Sequence, residues 1–306
     1  MEFMIIIHNV IGWYEIITRD YRFLSSQNLV YYVNANSRIP ISMMGNPNNY
    51  ALLMLFGVFI SYIFFACSKT WVERFIAIVV MISSAALIFF TESRANILGL
   101  IMAIVLFVYL SLIDRKERKL IFLLCVVPFV SILFSLDLFN SIMSQFSEFI
   151  QFNFSQQGSS DSVRINLIRN GLLFLTTTFG FGTGAGNIEY WMANRGVYYV
   201  ASITNMHNWW AEILIGYGVV IFLLYICFYI KLFIDIYRFY KKSNDVTIRN
   251  ISLGILCCMF GFVIGSISSS SNIRVEWLWV FWAVVVALQG YITTVAKEMQ
   301  IRVNNK

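Results

Sequence analysis

The stretch Tyr50–Cys67, YALLMLFGVFISYIFFAC, runs for eighteen residues without a charged side chain. A helix that long rises about 27 Å, close to the ~30 Å hydrocarbon thickness of a bilayer. Six more apolar runs follow: Phe75–Thr91, Asn96–Ile113, Leu120–Leu136, Trp209–Ile234, Ile251–Ser270 and Val275–Ala296. The first eighteen residues are apolar but carry His8 and Glu15, and read as the tail of an eighth span or an interfacial helix. The sequence therefore predicts an all-α fold, a polytopic transmembrane helical bundle of about seven spans. A large extracytoplasmic loop with short amphipathic helices interrupts it.

Composition agrees. Of 306 residues, 59% are hydrophobic and 12% charged, against about 25% charged in a soluble domain. A soluble protein of this length could not hide so much apolar surface. Cys67, Cys125, Cys227, Cys257 and Cys258 all lie in apolar runs, which suggests small core residues rather than disulfides or a thiolate metal site. The start lacks the basic region and cleavage site of a signal peptide.

Orientation follows from the basic residues. Lys69 and Arg74, then Arg115, Lys116, Arg118 and Lys119, then Arg238, Lys241, Lys242 and Arg249, then Lys297, Arg302 and Lys306 crowd alternate connections. The positive-inside rule puts these in the cytoplasm. The chain then divides into 1–49, a partial span or interfacial helix with an outer segment; 50–136, a four-span bundle; 137–208, the extracytoplasmic loop; 209–296, a three-span bundle; and 297–306, a cytoplasmic tail.

The two faces differ chemically. All eight lysines fall on the cytoplasmic side, whereas Arg19, Arg22, Arg38, Arg94, Arg164, Arg169, Arg195 and Arg274 are the basic residues facing outward. Random placement would produce that split roughly once in a hundred, and the two cations are not interchangeable. Arginine binds phosphate oxygens in pairs, so this bias suits a face that handles diphosphate. The spans carry almost no mid-depth charge of the kind ion-coupled transporters keep, and no inverted repeat of interrupted spans is visible.

Four outward segments stand out. Gly45-Asn-Pro-Asn-Asn49 reads as a span-entry turn. Thr91-Glu-Ser-Arg-Ala-Asn96 is so short that Arg94 must sit at headgroup level, where it could snorkel to lipid phosphate or hold the phosphate of a bound carrier. In the long loop, residues 140–154 have amphipathic spacing, and Ser155–Ser160 reads as a flexible connector. A second helix, capped by Asp161 or Ser162, runs to about Thr178. Arg164 and Arg169 lie about 140° apart around it and are not expected to serve one site. The glycines of Gly182-Thr-Gly-Ala-Gly186 either let backbone N–H groups approach an anion or simply stop the helix. His207-Asn208-Trp209-Trp210 opens a span. The tryptophans suit an interfacial belt, and imidazole is the usual base near neutral pH. With no carboxylate or histidine cluster beside it, a metal site is not expected.

Together these pieces resemble the O-antigen ligase and polymerase-like membrane glycosyltransferases, including the teichuronic-acid polymerase type. The matching residues are Gly45–Asn49, Thr91–Arg94, Ser162–Arg164, Gly182–Gly186, and His207-Asn208 ahead of Gly218. The resemblance implies a metal-independent, inverting enzyme with no cofactor. It implies a cell-surface polysaccharide polymerase or ligase in the plasma membrane, with its active face outside and residues 137–208 as the catalytic loop. The donor is a polyprenyl-diphosphate-linked oligosaccharide and the acceptor a glycan or lipid hydroxyl. Membrane lipids and other polysaccharide assembly proteins are the expected partners, and nucleic acid is not. Carried over by position, His207 would deprotonate the acceptor, and Arg94 and Arg164 would hold the diphosphate and stabilise the leaving group. Asn208, Ser93, Gly182, Gly184, Gly186, Arg169 and Arg274 are the expected substrate-binding residues, with Asn208 orienting the histidine. Family members have ten to twelve spans, so several N-terminal spans are expected to be missing here. Two other readings stay open: a lipid-linked-sugar flippase or permease, and a non-catalytic subunit of an assembly complex.

Overall fold

The computed structural model describes residues 1–23, 38–112, 160–269 and 272–304. The expected span Leu120–Leu136, the amphipathic stretch 140–154 and residues 155–159 of the expected connector lie outside them. Every element among the described residues is helical: α1 (Glu2–Thr18), α2 (Pro47–Cys67), α3 (Trp71–Phe90), α4 (Arg94–Ser111), α5 (Ser160–Thr177), α6 (Ile188–Arg195), α7 (Trp209–Lys242), α8 (Val246–Gly265) and α9 (Glu276–Asn304). Six are long and apolar enough to cross a membrane: α2, α3, α4, α7, α8 and the Glu276–Thr294 part of α9. They coincide with six of the seven expected runs, and the chain is a multi-pass membrane protein.

The chain forms two compact units. The first comprises residues 1–104, 226–265 and 272–306, and α2 is its core. Tyr50 through Phe56 are all 0% exposed, because α2 packs against α1, α3 and α8. Its start is set locally. Asn46 Oδ1 accepts from the N–H groups of Asn48 (2.8 Å) and Asn49 (3.4 Å), with Pro47 in the first turn, which satisfies donors that a helix start leaves orphaned. The helix α3 opens with a capping box, Thr70 and Glu73 exchanging hydrogen bonds.

Small residues let these helices approach, as packing without a hydrophobic drive requires. A Cβ at Gly99 of α4 would stand 2.9 Å from the Gly261 carbonyl of α8, and one at Gly57 of α2 would stand 2.8 Å from Ser84 Oγ of α3. Polar side chains add glue. Asn9 Nδ2 donates to Ser84 Oγ (3.0 Å), Ser83 Oγ donates to Asn9 Oδ1 (2.6 Å) and Trp13 Nε1 donates to Ser83 Oγ (2.7 Å). The Glu15 carboxylate, fully buried, accepts from the N–H groups of Ile41 and Ser42, both at 2.8 Å. That contact pins the segment leading into Gly45–Asn49 against α1.

The second unit comprises residues 105–225 and 266–271. It contains α5, α6, the glycine loop and the first half of α7.

Candidate functional site

Among the described residues of the second unit, an apolar cluster joins Val163, Leu167 and Phe174 from α5, Ile188 and Met192 from α6, Met206, and Ile215 from α7. The helix α5 starts at Ser160, so Asp161 and Ser162 lie in its first turn rather than ahead of it. Asn170, fully buried on α5, ties down the segment after α6. Its Oδ1 accepts from Val197 N (2.9 Å) and Tyr198 N (2.8 Å), and its Nδ2 donates to the Tyr198 carbonyl (2.9 Å). This clamp carries no sequence signature.

The glycine loop sits where α7 breaks. The helix is interrupted at Gly218, with φ 86° and ψ 172°, a conformation essentially confined to glycine. A break orphans backbone groups, which is costly wherever water is scarce. Here the loop supplies partners. Thr183 N donates to the Ile215 carbonyl (2.8 Å), Gly184 N to the Gly216 carbonyl (3.0 Å), and Val219 N to the Gly180 carbonyl (2.9 Å). The fit leaves no room for side chains: a Cβ at Gly182 would lie 2.6 Å from Gly218 N. Gly182 N itself donates to Thr178 Oγ1 (3.1 Å). The N–H groups of Gly182 and Gly184 therefore point into the protein, and their geometry favours support over direct anion contact. Gly186 differs, with nothing within 4 Å of where its Cβ would be.

The break also reverses the chain, so the expected span Trp209–Ile234 is not one continuous helix. Trp209 Nε1 donates to Tyr225 Oη at 3.1 Å, sixteen residues further on, whereas a straight helix would separate them by about 24 Å. The segment 209–217 thus folds back on the helix that follows. Trp209 is fully buried, its N–H donating to the Ser266 carbonyl at 3.0 Å, instead of facing the headgroups as a belt residue would.

His207 lies two residues before this short helix. Its φ is +48°, in the left-handed region, as are those of Ala201 (47°) and Ser202 (64°). Non-glycine residues are held there at a cost of order 1–3 kcal/mol each, and such strain clusters at functional sites. The Nδ1 atom of His207 is buried and has no hydrogen-bond partner among the described residues. Burial, followed by the positive charge of Arg164, lowers its pKa to about 4. The imidazole is therefore neutral near pH 7, and Arg164 of α5 is close enough for its charge to be felt.

The other expected residues have clear placements. Asn208 caps the short helix, its Oδ1 accepting from Trp210 N (3.0 Å) and Ala211 N (3.1 Å). That engages the oxygen expected to orient the histidine. Arg169 lies over the Tyr198 ring at 5.8 Å and donates to Asn166 Oδ1 at 3.4 Å. In the first unit, Ser93 is buried and donates to Asn48 Oδ1 at 2.6 Å, while Asn96 Nδ2 donates to Ser93 Oγ (2.9 Å) and to the Asn48 carbonyl (3.2 Å). The motifs Gly45–Asn49 and Thr91–Asn96 are therefore two halves of one buried network. It holds Arg94, the first residue of α4, at an exposed position. Arg274 is also exposed, at the end of the 3-10 turn Asn272–Arg274.

Comparison with known proteins gives these placements a likeness. Residues 78–226 match the model of the O-antigen ligase family. Over that range the chain is similar to the O-antigen ligase family. The resemblance read from the motifs is borne out, and the matched range takes in Arg94, Arg164, the glycine loop and His207. The chain is also 29% identical over 280 residues to the teichuronic acid biosynthesis protein TuaE of Bacillus subtilis (strain 168). That match takes in 91% of this chain and 57% of the relative, so the chain spans little more than half of that protein's length.

Proposed function

We propose that this protein transfers a glycan from a polyprenyl-diphosphate-linked donor to an acceptor hydroxyl at the outer face of the plasma membrane. The observation that carries the reading is the pairing of a neutral, strained His207 with the Arg164 charge inside the matched range. The kinship with a teichuronic acid biosynthesis protein supports a surface polysaccharide as the product.

In this reading the acceptor oxygen forms a bond to the anomeric carbon as the anomeric carbon–oxygen bond to diphosphate breaks, inverting the centre. The electron pair leaves with the diphosphate, and the acceptor proton passes to His207. Arg164 faces the leaving group, where a fixed guanidinium stabilises charge that develops only in the transition state. Burial, together with the same guanidinium, keeps His207 unprotonated until substrate arrives. A bound diphosphate offsets that charge and raises the basicity of the imidazole as the reaction needs it. No metal or cofactor is required by these steps. Arg94 and Arg274, with Ser93 behind Arg94, are further donor ligands on the strength of the sequence pattern. Arg169 and the open backbone at Gly186 are proposed contacts for the glycan.

The test is reconstitution of the full chain in lipid vesicles with a polyprenyl-diphosphate-linked oligosaccharide, comparing wild type with His207→Ala on a gel that resolves glycan length. Loss of a general base should cost about 10²–10⁴-fold in rate. A ladder from wild type alone supports a polymerase, and a single shifted band that needs added acceptor supports a ligase. Undiminished turnover by His207→Ala sinks the assignment of the base.

A further inference from the structure

A histidine that takes a proton through Nε2 must carry its own proton on Nδ1, and a neighbour that accepts that N–H fixes the tautomer. In this site the expected neighbour is otherwise engaged, because the Asn208 oxygen caps the helix that starts at Trp209. His207 Nδ1 is left buried with no partner among the described residues. Two residues earlier, Asn205 Oδ1 is in the same condition, buried and without a partner. One atom is a donor in the base-competent tautomer and the other is an acceptor, so each is what the other lacks. An unsatisfied buried polar atom costs about 1–3 kcal/mol, so each of the two calls for an explanation.

The chain between them makes their pairing feasible. Met206 is 2% exposed and belongs to the apolar cluster with Val163, Ile188 and Ile215. Its side chain is thereby taken into the core. The Cα atoms of residues two apart lie within about 7 Å, inside the combined reach of an asparagine and a histidine side chain. The strain at His207, and at Ala201 and Ser202 before it, means that the segment is held against its own backbone preference.

We propose that Asn205 is the positioning residue for His207, its Oδ1 accepting the Nδ1 proton so that Nε2 presents its lone pair to the acceptor hydroxyl. The inference rests on His207 being the base. The hydrogen bond closes when the acceptor enters and fixes the ring. Arg164 is the charged group already felt by the imidazole, and a neutral amide suits this place. A carboxylate in the same position would raise the imidazole pKa and draw the guanidinium away from the leaving diphosphate.

The experiment uses the full chain in vesicles, with the donor oligosaccharide described above and four proteins: wild type, His207→Ala, Asn205→Ala and Asn205→Asp. Asn205→Ala should lower kcat about 10–100-fold and leave the donor KM within about twofold, since the residue orients the base and does not hold the donor. Asn205→Asp should recover part of the rate and move the acid limb of the kcat profile to higher pH. Nitrogen-15 labelling of histidine supplies a readout that a merely structural role would not move. The chain has two histidines, so each resonance is assigned by substituting the other. With donor bound, the His207 ring should be the Nδ1–H tautomer in wild type and a mixture in Asn205→Ala. A kcat for Asn205→Ala within twofold of wild type, or an unchanged tautomer, overturns the proposal. If His207→Ala is as active as wild type, the base itself is wrong, which is a different failure from a dispensable Asn205.

Discussion

Replacing Gly218 by alanine should open the second unit at one defined place. At φ 86° and ψ 172° a side chain is strained whatever space surrounds it, and such a conformation costs of order 1–3 kcal/mol. Space is also lacking: the new Cβ would stand 2.5 Å from the Gly180 carbonyl oxygen and 2.6 Å from the carbonyl of Phe181. These are backbone atoms, so the glycine loop itself has to retreat. Retreat breaks the hydrogen bonds from Thr183 N, Gly184 N and Val219 N, each contributing about 0.5–1.5 kcal/mol. Strain and lost bonds together come to about 2.5–7.5 kcal/mol, or about 10²–10⁵ in a local opening equilibrium. Hydrogen exchange on the purified protein reads this directly. Protection at Thr183, Gly184 and Val219 should fall by that factor in Gly218→Ala, while the α2 core keeps its wild-type protection. Unchanged protection at those three amides would refute the claim that the loop exists to complete the broken helix. In the transfer assay the same variant should lose activity with the His207 side chain intact.

The remaining predictions concern pH and the clamp on α5. His207 has a folded pKa near 4, below the ordinary 6.5, so its neutral form persists on acidification. The acid limb of kcat/KM should fall near pH 4, and that of kcat should lie higher because bound diphosphate offsets Arg164. A kcat/KM limb at 6.5 would contradict the burial. The sign for stability follows: between about 6.5 and 4 the unfolded chain binds the proton and the folded chain does not, so this group makes stability fall as pH drops through that window. Asn170→Ala should cost about 1–3 kcal/mol, since it removes the fully buried side chain that accepts from the N–H groups of Val197 and Tyr198. Thermal unfolding of the purified protein checks this, and a wild-type melting profile would show that the clamp is dispensable.

The spans were legible because hydropathy is a local property. A helix in lipid must be apolar over about twenty residues wherever its neighbours lie, so α2, α3, α4, α8 and α9 were found from run length alone. The motif order likewise pointed to the O-antigen ligase family before any geometry was known, and the 140° offset of Arg164 and Arg169 followed from helical periodicity. Asn208, whose oxygen caps the helix that starts at Trp209, shows a different limit. Sequence adjacency to His207 made it look like the orienting residue, but adjacency says nothing about where a side-chain oxygen is used.

The interruption of α7 shows where linear reading ends. Ile213 to Ile221 is apolar throughout, and Gly216 and Gly218 are unremarkable in a membrane helix, where glycine is common. What breaks the helix is a second segment, some thirty residues earlier, that accepts and donates the hydrogen bonds the break sets free. Local composition determined the helices, their approximate ends and their place in a bilayer, since each depends on a residue's own chemistry and that of its near neighbours. Tertiary structure alone decided the reversal at Gly218, the burial of Trp209 and the strained setting of His207. Those depend on which distant backbone groups stand ready to satisfy one another.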